Sequence, residues 1–167
     1  MVSISLQKDA ADVRAMLVDA VRRYSAKQKP TPTTRIDLAF SLGDSESTPW
    51  VHLHFDTKLG SEPDGDPTHP DYAKLSREDW LPAVKAVCED QTVSVIQADG
   101  KTIACRNAEL AATIGSFLVD TLLAARDDGV FGDLPKSDRC EMGVEDPTTG
   151  EFGWPRYDER GKTNIIQ

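Results

Sequence analysis

The chain has 167 residues, of which 39% are hydrophobic and 28% charged, with a formal net charge of −9 and a mean hydropathy of −0.42. This length suits a single domain over residues 1–167, and this composition an ordinary globular core. The acidic balance disfavours nucleic acid and anionic membrane as partners, and no apolar run is expected to span a bilayer.

Residues 9–26 come first among the predicted elements. Val13, Met16, Leu17, Ala20, Val21 and Tyr24 recur at helical spacing, with Asp9 as the expected N-cap and Pro30 and Pro32 beyond the end. Ile36, Leu38, Phe40 and Leu42 then alternate with Arg35, Asp37, Ala39 and Ser41, which is the pattern of a half-buried strand. After a polar connection from Gly43 to Pro49, Val51, Leu53 and Phe55 alternate again. The two strands are expected to pair as a hairpin. Residues 58–75, rich in proline, read as an exposed loop.

A second helix follows, capped by Ser76 or Asp79 with Pro82 in its first turn. Thr92–Ala98 and Lys101–Arg106 flank Asp99-Gly100, a strong hairpin signal. Asn107 is the expected cap of a third helix running to about Asp128 and stopped by Gly129. Residues 130–167 read as a loop-rich tail, in which Cys140–Val144 and Glu151–Trp154 make a small hairpin around Asp146–Gly150. The predicted fold is therefore α+β, in the order αββαββα: an antiparallel sheet built from two hairpins, packed against helices, with an irregular C-terminal tail.

Charge and chemistry concentrate in the middle. Residues 1–35 carry seven Lys/Arg and three Asp/Glu, residues 36–100 four and thirteen, and residues 101–167 eight and twelve, for net charges of +4, −9 and −4. All three histidines, His52, His54 and His69, lie in the acidic stretch, among Asp56, Glu62, Asp64, Asp66 and Asp71. Since Val51, Leu53 and Phe55 face the core, Trp50, His52, His54 and Asp56 share the opposite face. Two imidazoles and a carboxylate in that order could serve a metal-dependent enzyme, with His69, Asp64 or Asp66 as a further ligand. The spacing is not distinctive, and no metal or other cofactor is expected.

The three cysteines, Cys88, Cys105 and Cys140, are too scattered for a zinc site and read as reduced thiols. Cys88 and Cys105 are expected to face inward and Cys140 to be the least buried. The N-terminus shows no basic leader followed by an apolar stretch, so a cytoplasmic location is expected. No phosphate loop follows any strand.

These observations favour a non-catalytic protein-binding module over an enzyme. Its specific form would be an immunity protein that blocks the active site of a basic bacterial toxin, or alternatively an acidic adaptor of the secretion-chaperone type. The expected contact residues are Asp44, Glu46, Trp50, His52, His54, Asp56, Glu62, Asp64 and Asp66. Trp50 is either an open contact point or covered by the tail segment Phe152–Tyr157.

Overall fold

The computed structural model describes residues 2–57, 72–146, 154–160 and 164–165. The fold is mixed α+β, as the sequence pattern predicts. Strand β1 (Ser3–Ser5) leads directly into helix α1 (Leu6–Ser25), and β2 (Thr33–Ser41) and β3 (Trp50–Asp56) form the expected antiparallel hairpin with Leu38 opposite Leu53. Strand β4 (Tyr72–Ser76), a single 3-10 turn at Glu78–Trp80 and helix α2 (Leu81–Cys88) follow. Then come β5 (Val93–Ile96), β6 (Thr102–Cys105), helix α3 (Asn107–Asp127), β7 (Lys136–Glu145), β8 (Arg156–Asp158) and β9 (Asn164–Ile165).

The strands form two sheets, in the orders β4-β3-β2-β7-β8-β9 and β1-β5-β6. The two predicted hairpins therefore do not share one antiparallel sheet. The β5–β6 hairpin joins β1, which runs parallel to β5, while β2 pairs in parallel with β7. Period-two patterning fixes which face of a strand is buried and leaves its neighbour open. The expected tail holds the largest departure. Residues 136–145 form an interior strand of the larger sheet, and β7 pairs with Arg156–Asp158; of the segment expected to pair with it, Glu151–Gly153 lie outside the described residues. Likewise, residues 72–75 of the predicted loop belong to β4, which pairs with β3.

Helices α1 and α3 pack on the inner face of the larger sheet. Leu17, Tyr24, Ile36, Leu38, Phe40, Val51, Leu53, Ile114, Leu118, Met142 and Val144 are all fully buried there. Asp9 is not a cap. It lies inside the first turns of α1, 1% exposed, accepting hydrogen bonds from the Arg77 guanidinium and from Trp80 Nε1 at 2.8 Å. Arg77 also binds Asp12 at 3.0 Å and Asp79 at 2.8 Å, so this cluster fastens α1 to the turn before α2. Asp79 is thus engaged elsewhere, and neither it nor Ser76 caps α2, although Pro82 does stand in its first turn. Asn107 is the first residue of α3, and Arg106 occupies the cap, its backbone N–H donating to Glu109 at 2.9 Å.

Trp154 fills a gap between the larger sheet and α3. Its ring lies 5.6 Å from that of Phe40, and a Cβ built on Gly115 would fall 1.7 Å from its Cζ2. Only glycine allows this close approach. Contrary to the composition-based expectation, α3 is long and apolar enough to match a membrane span, but its inner face is core.

Candidate functional site

The strand registers place the candidate residues on the outer face of the larger sheet, away from the helices. One row across the strands runs His54, Asp37, Gly143, Arg156; the next runs Asp56, Arg35, Glu141, Asp158; a third runs Lys74, His52, Ala39, Glu145. A sheet face packed on nothing apolar is expected to be polar. This one is polar, and at its centre two charged groups are withdrawn from water: Asp37 and Arg156 are each only 2% exposed.

A charge network accounts for their tolerance of burial. Arg156 crosses over Gly143, whose missing side chain leaves the room: a Cβ there would stand 3.3 Å from Arg156 Nη1. The guanidinium donates to Asp37 Oδ1 at 2.6 Å, with Glu141 at 3.4 Å and Glu145 at 3.8 Å. Arg35 meets Asp37 and Glu145, both at 3.1 Å. The Arg35 and Arg156 guanidiniums thus lie among the Asp37, Glu141 and Glu145 carboxyls. Burial, followed by the Asp37 charge, raises the Glu145 carboxyl above the usual range, against the opposing pull of Arg35 and Arg156. Isolated buried charges cost several kcal/mol, so such groups are found paired.

The two histidines are half-buried rather than solvent-facing. His52 stacks on Trp50, with ring centroids 3.7 Å apart, and the Lys74 ammonium stands 5.9 Å from the Trp50 ring. Burial, Lys74 and His54 together push the His52 imidazole down to about 4. His54 is also lowered, by burial first and Arg35 last, against Asp37 and Asp56, which favour its protonation. Among the described residues, its Nδ1 is buried without a hydrogen-bond partner. Both rings are therefore neutral at pH 7, and the face derives its charge from its carboxylates, its guanidiniums and Lys74.

Asp44 and Glu46 are exposed in the β2–β3 connection. Asp44 Oδ1 accepts the backbone N–H groups of Glu46 (2.9 Å) and Ser47 (2.8 Å), which hold its carboxyl below the usual range. The strand register places these acids at the Trp50 end of β3, while Asp56 sits opposite Arg35 at the other end, about 20 Å away at ~3.3 Å per residue. The described members of the predicted contact set therefore form a line rather than a cluster. Glu62, Asp64 and Asp66, like His69 and Asp71, lie outside the described residues.

Among the described residues, no group of three His, Cys, Asp or Glu is placed to hold a metal ion. The thiols depart from expectation. Cys88 is exposed, whereas Cys105 and Cys140 are buried, and burial followed by Glu159 pushes the Cys140 thiol up to about 12. Trp154 packs on the core side with Phe40, so it does not cover Trp50, while Arg156 from the same segment reaches the outer face; Phe152 and Gly153 lie outside the described residues.

Sequence reasoning missed Arg35, Asp37, Glu141, Glu145 and Arg156 as a unit. Their outward positions were readable in the alternation around Ile36, Leu38, Met142 and Val144, but their convergence depends on β7 lying beside β2. No protein-family model, curated protein or solved structure matches this chain.

Proposed function

We propose that this chain is a non-catalytic binding module that captures a basic protein, most specifically an immunity protein that covers the cationic active site of a bacterial toxin. The observation that carries the reading is the β2–β3 connection: Asp44 and Glu46 stand exposed beside Trp50, and Asp44 is held ionised by its own backbone turn. Acids around a half-buried aromatic ring suit an interface in which charge steers encounter and the ring supplies contact area. The paired Arg35, Asp37 and Arg156 stiffen the sheet beneath, which lowers the ordering cost of binding. A metal-dependent enzyme has less support, because Lys74 lies opposite His52 and His52 is stacked on Trp50.

The test is affinity capture from the source cell with two baits, the native chain and a Asp44→Lys, Glu46→Lys, Asp56→Lys variant. One basic protein should be enriched at low salt by the native bait, lost at high salt and lost with the variant. Recovery of the same protein on both baits, or of no basic protein, overturns the proposal.

A further inference from the structure

The smaller sheet ends on β6, and among the described residues no strand pairs with the far side of that strand. Which of its backbone groups stay open follows from the pairing. In an antiparallel ladder, successive residues alternately turn their N–H and C=O toward the neighbour and away from it. Gln97 N–H donates to Lys101 C=O at 2.7 Å, so the facing pairs Val95–Ile103 and Val93–Cys105 also bond across the hairpin. Ser94 agrees with this phase, since its N–H donates the other way, to Val2 C=O at 2.9 Å. Thr102 and Ala104, opposite Ile96 and Ser94, therefore turn their backbone groups outward. The next outward position is closed by α3: Arg106 N–H donates to Glu109 at 2.9 Å, and its C=O accepts Leu110 N–H at 2.8 Å.

The edge is thus a set of two donors and two acceptors on two exposed residues. Open edges are normally guarded by charge, proline or a bulge. Residues 102–105, Thr-Ile-Ala-Cys, carry none of these and are protected only by their shortness. One antiparallel register with a second copy satisfies every open group: Thr102 opposite Ala104 of the other chain, and Ala104 opposite its Thr102. The two-fold axis then passes between the two Ile103 residues, whose Cβ atoms come within about 4.5–5.5 Å. Ile103 packs on the core yet is only half-buried, so this contact covers apolar surface that one chain leaves open. Arg106, exposed and without an ion pair among the described residues, falls opposite Gly100 of the other copy and beside its Asp99 carboxylate. A strand of another protein would have to supply that match of apolar and acidic groups, whereas this chain contains it.

We propose that β6 is a dimerisation edge, where two copies of this chain pair antiparallel about Ile103 and merge their three-stranded sheets into one. The edge belongs to a different sheet from the β2–β3 surface, so either surface can fail alone. Such a short edge makes a small interface and hence a weak dimer, with a Kd of about 100 µM.

The test is sedimentation equilibrium of the full chain at ~1 mM and ~50 µM, in ~0.3 M salt to screen the −9 charge on each copy. The mass should rise from near 18.3 kDa toward twice that value. At that Kd roughly four-fifths of the chains are paired at ~1 mM and two-fifths at ~50 µM. Amide exchange followed by NMR should therefore be about threefold slower at the higher concentration for Thr102 and Ala104, and unchanged for Ile103 and Cys105. Ala104→Pro deletes an outward N–H without touching the β5 ladder and should weaken association at least tenfold. Should proline impair folding by circular dichroism, Thr102→Glu, Ala104→Glu sets carboxylates opposite one another across the axis and should do the same. A chain that is monomeric at ~1 mM overturns the proposal and leaves the edge to another protein. A dimer that persists in the folded variants overturns it as well. So does protection of the Thr102 and Ala104 amides that is independent of concentration, which would show the chain covering its own edge.

Discussion

Replacing Arg156 by alanine removes the guanidinium that crosses Gly143 to reach Asp37. Breaking a buried ion pair by deleting one member costs about 3–5 kcal/mol, because the other charge stays buried. Asp37 would retain Arg35 at 3.1 Å, so the expected loss lies somewhat lower, at about 2–4 kcal/mol. For a domain of this size each kcal/mol moves the midpoint by about 2–4 °C, giving a fall of roughly 4–16 °C. Urea denaturation of Arg156→Ala, Asp37→Leu and the double variant Asp37→Leu, Arg156→Ala closes the argument. The double variant removes both charges and should recover most of the stability lost by Arg156→Ala. A loss below about 1 kcal/mol for Arg156→Ala, or a double variant as unstable as the sum of the single ones, would refute the claim that an unpaired buried charge sets the cost.

Lowering pH should destabilise the protein through His52. Its folded value of about 4 lies below the ordinary 6.5, so between these values the unfolded chain binds more protons and stability falls as pH falls. Full conversion of that shift gives about 3 kcal/mol, reduced to roughly 1–2 kcal/mol for a half-buried ring. Glu145 and Asp9, both raised by burial, act in the opposite sense at lower pH, so the effect is read as the difference between native and His52→Gln unfolding curves; an NMR titration placing His52 at or above 6.5 contradicts it. Gly115→Ala should cost about 1–3 kcal/mol by driving its new methyl into Trp154, with the added cost disappearing in a Trp154→Ala background when both are measured by urea denaturation. Ellman's reagent should label Cys88 rapidly in the native protein and reach Cys105 and Cys140 only after unfolding, so that Cys88→Ser abolishes native labelling.

The parts of this fold legible in the sequence are those that depend on local periodicity. Val13 through Tyr24 announce α1, and the alternations at 36–42 and 51–55 announce the first hairpin with its faces correctly assigned. Features set by distant partners were not legible. Asp9 has the look of a helix cap because nothing nearby in sequence reveals that Arg77 and Trp80 will reach it. Residues 136–145 resemble a tail strand until they are seen beside β2. The candidate site follows the same division: the shared face of Trp50, His52, His54 and Asp56 follows from strand geometry, whereas the burial of the histidines and their neighbour Asp37 depends on how the sheet is assembled around them.

The parallel pairing of β2 with β7 joins segments about a hundred residues apart in the chain. As the chain leaves the ribosome, the β2–β3 hairpin is complete long before its inner neighbour has been translated. Throughout that interval one side of β2 presents open amide and carbonyl groups, and Asp37 waits without Arg156. Nascent chains stopped before residue 136 would therefore be sticky and in need of chaperone protection, and the slow step of refolding should be the arrival of β7 in its slot.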